Sequence, residues 1–129
     1  MLGKDFFNRP VQRVARELLG NDLCVIQENG RIIRMTVNET EAYDGEKDLA
    51  CHASMGKTAR NEVMYGEAGL IYLYLCYGMH WLLNIVCGDK GYPAAVLLRG
   101  THEVKGPGRL TKRLGIDGRL NRKTAIRSH

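Results

Sequence analysis

Glu39-Thr-Glu41-Ala-Tyr43 closes a long strand-like run and brings two carboxylates and a phenol together. Carboxylates at this spacing can orient a water, accept its proton, or face a developing cation. Period-2 alternation puts Met35, Val37, Glu39, Glu41 and Tyr43 on one side, so an apolar face runs into acids. Such a strand either walls a pocket or simply emerges into solvent. Residues 72–84, Tyr-Leu-Tyr-Leu-Cys-Tyr-Gly-Met-His-Trp-Leu-Leu-Asn, carry a second signal. Two apolar runs meet at an aromatic turn, and a ring at a hairpin tip has nothing of its own to pack on. Tyr77 therefore reads as a wedge for another molecule. With the basic, glycine-rich stretch 105–113, these features point to chemistry on a base drawn out of DNA.

Cations accompany these groups. Lys57 and Arg60 sit among small residues in 54–61, a loop that could lie on a phosphate backbone or be plain surface. Lys105-Gly106-Pro-Gly108-Arg109 precedes a helix-like stretch, 110–114, in which Lys112 and Arg113 add charge. Glycines there would bare backbone N–H groups at a helix N-terminus, which favours phosphate. Arg99 closes the apolar run 94–98, where it can reach outward to solvent or hold a phosphate with its planar fork. Asn84, inside an apolar run, must find hydrogen-bond partners, as a structural clamp or as a group that reads a ligand.

Formal net charge is +5 over 129 residues. Eight of the 19 Lys and Arg, but one of the 14 acids, fall in 105–129, so the body is slightly acidic and the end basic. A basic block attracts polyanions or is merely solvated. No apolar run reaches the roughly 18 residues a membrane span needs, and the start lacks a signal-peptide pattern. Cytoplasmic location is the simplest expectation. Cys24, Cys51, Cys76 and Cys87 form no Cys-x-x-Cys pair, which argues against zinc and for reduced thiols.

The elements that must position these groups can be read in turn. Val11, Val14, Ala15, Leu18 and Leu19 follow helical spacing, with Pro10 suited to the first turn and Gly20 to the cap. Residues 23–27 and 31–43 predict a hairpin turning at Asn29-Gly30. A short helix is possible near 47–52. Runs 70–76 and 81–87 predict a second hairpin with both faces covered, and 94–98 a further strand. Residues 118–129 show no apolar periodicity and are expected to be a disordered basic tail behind a compact domain, 1–117.

Taken in order, Glu39-Thr-Glu-Ala-Tyr43, His52, Thr58-Ala-Arg-Asn61, Tyr72-Leu-Tyr-Leu-Cys-Tyr-Gly-Met79, Asn84, Val96-Leu-Leu-Arg99 and Gly106-Pro-Gly108 resemble the alkyladenine (3-methyladenine) DNA glycosylase family. The resemblance covers roughly residues 8–117. It implies an α+β fold: one domain with a curved antiparallel β-sheet, flanking helices and a protruding hairpin. The implied reaction is hydrolysis of the N-glycosidic bond of a damaged purine, leaving an abasic site. Glu41 matches the catalytic carboxylate that activates water, and Arg99 a residue near the phosphate of the flipped nucleotide. Tyr43 and Tyr74 match aromatic walls of the base pocket, His52 a hydrogen-bonding neighbour, and Asn84 the pocket floor. Tyr77 matches the side chain that enters the minor groove. The DNA backbone would meet Lys57, Thr58, Arg60 and Met79 on one side and Lys105, Gly106, Gly108 and Arg109 on the other. His80 stands where the family commonly has an aromatic. Family members usually carry a longer insertion after the Arg99 position and further strands after that of Asp117, so one pocket wall is expected to be open.

The residue types fit this chemistry. An inserted side chain offsets the few kcal/mol that extruding a base costs. Aromatic walls stack on flat purines, and a cationic alkylated purine gains further from their π-electrons. No lysine lies between 58 and 89, which argues against a Schiff base and for a monofunctional, water-using enzyme. No metal or cofactor is expected, and the partner expected is damaged double-stranded DNA, bound by a monomer. Two rival readings are a lesion-recognising DNA-binding module without cleavage, and a metal-dependent hydrolase using Glu39, Glu41 and His52.

Overall fold

The computed structural model describes residues 2–48, 51, 53–54 and 56–125. It opens with α1 (Lys4–Phe7) and α2 (Val11–Leu18). α2 buries Val11, Val14, Ala15 and Leu18, the stripe its spacing dictates, with Pro10 as its N-cap. Gly20 follows in the left-handed region (φ +89°), and its N–H donates to the Val37 carbonyl at 2.8 Å. The first hairpin joins β1 (Asp22–Ile26) to β2 (Ile32–Asp44) through Asn29 and left-handed Gly30 (φ +85°).

The second hairpin is β3 (Ile71–Cys76) and β4 (His80–Val86). Then come β5 (Ala94–Thr101) and α3 (Pro107–Leu114). The strands form one antiparallel open sheet in the order β1-β2-β5-β4-β3. The fold is therefore α+β, as expected. The helices lie on one face: Val14, Leu18, Leu110 and Leu114 pack with Met35, Val37, Leu83, Ile85, Val96 and Leu98 in the main core. A smaller cluster covers the other face, where Tyr72, Val86 and Ala95 meet Cys51, Ala53, Val63 and Met64, with Tyr43 and Tyr74 at its margin.

One expectation about β2 is corrected here. Its alternation does not run unbroken from Met35 to Tyr43, because the register against β5 shifts between Val37 and Glu39 and again between Glu39 and Thr40. A β-bulge inserts an extra residue and exchanges the two faces beyond it. Met35 and Val37 point into the helix-covered core. Past the bulge that side belongs to Thr40, whose hydroxyl donates to the Ala15 carbonyl of α2 at 2.8 Å, and to Ala42. Glu41 and Tyr43 are thereby turned to the opposite face, opposite Leu97 and Ala95.

The segment after Asp117 also departs from expectation, because residues 118–125 are built into the fold. A short 3-10 turn spans Gly118–Leu120. Ile71 and the 122–123 segment exchange backbone bonds of 2.9 and 2.7 Å, and Leu73 N–H donates to Asn121 Oδ1 at 2.9 Å. β3 is an edge strand whose outward donors and acceptors need partners. Backbone pairing of this kind requires no apolar periodicity, which is why the pattern gave no sign of it. Among the described residues the four cysteines are free thiols, and no helix is long and apolar enough to cross a membrane.

Candidate active site

Sheet register brings the expected residues onto the face opposite the helices. Tyr72 pairs with Asn84, Asn84 with Leu97, and Leu97 with Glu41, a single row across four strands. Directly opposed residues project from the same face. Tyr43 and Tyr74 lie two residues along from Glu41 and Tyr72, and share that face. Arg99, two residues beyond Leu97, donates from Nη1 to Glu41 Oε2 at 2.9 Å. Both side chains are 41% exposed, so water reaches the pair.

Tyr43 sits beside this pair, and its phenol is pushed up to about 12, first by burial and then by the adjacent Glu41 carboxylate. It remains a neutral hydroxyl through the physiological range. Tyr72 is raised as well, chiefly by burial. Asn84 is 2% exposed, and its amide donates to the carbonyls of Tyr72 at 3.3 Å and Leu82 at 3.2 Å. Its nitrogen thus clamps β3 to β4, one of the two roles the sequence left open.

Tyr77 stands at the tip of the second hairpin, 91% exposed, with Met79 beside it at 73%. Tyr77 and Gly78 both have positive φ (+53° and +65°), and Met79 N–H closes the turn on the Cys76 carbonyl at 3.0 Å. A tyrosine in the left-handed region is strained, and such strain clusters at functional positions. The basic, glycine-rich stretch lies against the same hairpin. Thr111 Oγ1 donates to the Trp81 carbonyl at 2.7 Å, docking α3 on β4. A Cβ on Gly108 would lie 3.0 Å from His80 Cβ, a tight contact that glycine avoids. Gly106 has φ +98° as N-cap, and the first turn of α3 contains no acid. Lys105 and Arg109 flank it.

The loop 56–61 is held internally. Thr58 N–H donates to Asn61 Oδ1 at 2.7 Å, Asn61 N–H donates to Thr58 Oγ1, and Asn61 Nδ2 donates to the Gly56 carbonyl. Lys57 Nζ lies 5.5 Å from the Tyr65 ring centroid. The Arg60 guanidinium lies 3.9 Å from that of Tyr74. His52 falls outside the described residues. Among the described residues no three His, Cys, Asp or Glu side chains gather as a metal site would require. The sequence assigned no role to Asn61 or Tyr72. Their position in the quoted motifs was the available signal, and their burial supplies the reason.

A model of the methylpurine-DNA glycosylase family matches residues 5–129. The chain belongs to that family. A relative from Myxococcus xanthus, named "Putative 3-methyladenine DNA glycosylase", is 48% identical over 131 residues, covering 95% of this chain and 67% of its own. One of the same name from Methanocella arvoryzae is 51% identical over 106 residues, covering 82% and 52%. A third, from Rickettsia felis, is 43% identical, covering 91% and 67%. The chain thus spans between about half and two thirds of the length of these relatives. Within the glycosylase family frame, the acid, the aromatic residues and the hairpin tip all belong to one sheet.

Proposed function

We propose that this methylpurine-DNA glycosylase family member excises alkylated purines of the 3-methyladenine type from duplex DNA and leaves an abasic site. The observation that carries the reading is the Glu41–Arg99 pair, open to water and set on the same sheet face as Tyr43 and Tyr74. The names of the relatives support the substrate class.

In this reading Tyr77 enters the minor groove and fills the space of the extruded nucleotide, offsetting lost stacking. The base stacks against Tyr43 and Tyr74, with His52 as a hydrogen-bonding neighbour and Asn84 at the floor. An N-alkylated purine carries positive charge, so it gains at a π-face what an undamaged purine does not. Its C1′–N bond breaks with the electron pair leaving on the base, which departs neutral and needs no proton. The sugar passes through an oxocarbenium-like state that the Glu41 carboxylate faces. Glu41 accepts a proton as a water oxygen bonds to C1′. Arg99 fixes the carboxylate. Lys105, Arg109 and the N–H groups at Gly106 and Gly108 take phosphates near the hairpin tip, with Lys57 and Thr58 along the strand, while the exposed Met79 side chain packs on the DNA backbone. The product is an abasic site with no strand cleavage, made by a monomer acting in the cytoplasm.

Methylated duplex DNA incubated with wild type and Glu41→Gln tests this. Release of free 3-methyladenine by wild type alone is the expected result. Lesion-selective binding by both proteins without release would identify a recognition module instead. Release unaffected by excess chelator is expected, and its loss would favour a metal-dependent hydrolase.

A further inference from the structure

In β3 the odd-numbered residues turn their backbone groups away from β4. Ile71 and Leu73 are met there by 121–123, and the Leu75 carbonyl by Arg60 Nη2. Arg60 therefore arrives from the outer edge of the sheet, and β3 is the strand farthest from β1. From that side its guanidinium carbon lies 3.9 Å from the centroid of the Tyr74 ring. Tyr72 meets the same ring edge-on, with centroids 6.4 Å apart and planes at 71°. The loop that carries Arg60 is anchored next door by buried Asn61. Glu41 lies in the opposite direction, across β4 and β5.

We propose that Arg60 is a positioning residue rather than a phosphate contact. It backs the Tyr74 ring from the outer edge and fixes the plane presented toward Glu41. The inference rests on the reading of Tyr74 as a wall of the base pocket. A guanidinium suits the task because it is planar and stacks on a ring while a fork nitrogen stays bonded to a carbonyl. Tyr74 held in this way loses less rotamer freedom when a base arrives, and preorganisation of this kind is read out as affinity for the flipped base. A phosphate contact predicts something different: every duplex binds more weakly, and the salt dependence flattens.

The test compares wild type, Arg60→Ala, Arg60→Gln and Arg60→Lys, each also in a Tyr74→Ala background. The probes are dimethyl-sulfate-treated duplex, for release of 3-methyladenine, and the same duplex untreated, for affinity across a KCl series. Arg60→Ala is expected to lower kcat/KM about 2- to 30-fold, the range of a single cation–π contact, mainly through KM. Affinity for untreated duplex and its salt slope should stay at wild-type values, which also reports that the variant is folded. Arg60→Gln, which keeps a planar donor for Leu75, should retain more activity than Arg60→Lys. In the Tyr74→Ala background Arg60→Ala should change little further. An equal loss on both duplexes with a slope lower by about one makes Arg60 a phosphate contact and overturns the proposal. So does wild-type kcat/KM in Arg60→Ala, or full rescue by lysine. Absence of release by wild type would instead bring down the glycosylase reading, and this inference with it.

Discussion

Glu41 and Arg99 lie 58 residues apart in the chain, yet Arg99 Nη1 donates to Glu41 Oε2 at 2.9 Å. β2 and β5 run antiparallel, and the bulge before Thr40 sets the face on which the two side chains meet. The carboxylate thus has a fixed donor while water still reaches it, the condition for a group that must orient a water molecule.

That pair predicts a separation of rate from stability. Glu41→Gln should lower base release by about a hundred- to ten-thousand-fold, the range for a positioned general base. A solvent-exposed ion pair contributes only ~0–1 kcal/mol, so the melting temperature should move by a few degrees at most. Single-turnover release and a thermal melt of the same preparation check both. A collapse of the fold in Glu41→Gln would make the residue structural.

Tyr43 supplies a pH prediction. Its phenol is raised to about 12, by burial and then by Glu41, against an unfolded value near 10. A raised folded value means that the native state holds the proton more tightly. The stabilisation is therefore complete below pH ~10 and is lost as pH rises toward ~12. Tyr43→Phe cannot lose it. Urea midpoints of wild type and Tyr43→Phe should converge between pH 9 and 12, by less than about 1 kcal/mol after solvent screening. Parallel curves across that window would contradict the assignment. The retained ring should keep the variant's KM near wild type.

Tyr77 combines exposure with a left-handed backbone (φ +53°). Nothing in its own fold calls for an aromatic there. Tyr77→Gly should relieve strain and stabilise the protein by about 1 kcal/mol. Excision should fall by about tenfold or more as the wedge is lost. Affinity for undamaged duplex, which we propose rests on Lys105, Arg109 and their neighbours, should hardly change. Higher melting temperature with unchanged excision would sink the wedge and leave the turn as mere decoration.

Removing residues 119–129 now carries a double expectation. Fewer cations should flatten the salt dependence of DNA binding. The deletion also strips Ile71 and Leu73 of their outer partners and Leu120 of its core contact. An exposed edge strand is a template for association. The truncated chain should melt earlier and aggregate in light scattering. A monodisperse truncation with the original melting temperature would show that the segment adds nothing to β3.

Much of this arrangement was legible in the chain. The apolar spacing of α2, the Asn29-Gly30 turn, the aromatic tip at Tyr77 and the glycines around α3 are local signals, and local geometry decides them. Where the outcome depended on long-range pairing, pattern alone misled. The bulge is a product of β2–β5 register, and no residue type between Val37 and Thr40 announces it. The pairing of 122–123 with Ile71 is made by backbone atoms and that of Asn121 with Leu73 by a side-chain amide, and hydropathy is blind to both. Arg60 reads in the sequence as a cation for the DNA backbone, and its contact with the Tyr74 ring is invisible there because the ring lies in another element.

The bulge itself yields the last prediction. Thr40 and Glu41 are neighbours that serve opposite faces: the Thr40 hydroxyl is tied to the Ala15 carbonyl of α2, and Glu41 is tied to Arg99. The threonine bond fixes the phase of the strand beyond the register shift, and hence the aim of Glu41. Thr40→Val keeps the shape and removes the donor. It should cost about 1 kcal/mol of stability. It should also lower kcat more than KM, because the acid is misaimed while the aromatic walls remain. Glu39→Ala is the control: it lies within the irregularity and is exposed. It should leave kcat within about twofold if Glu41 alone performs the proton transfer. Equal loss in both variants would mean that the strand carries two working carboxylates, and that the bulge positions the pair rather than one acid.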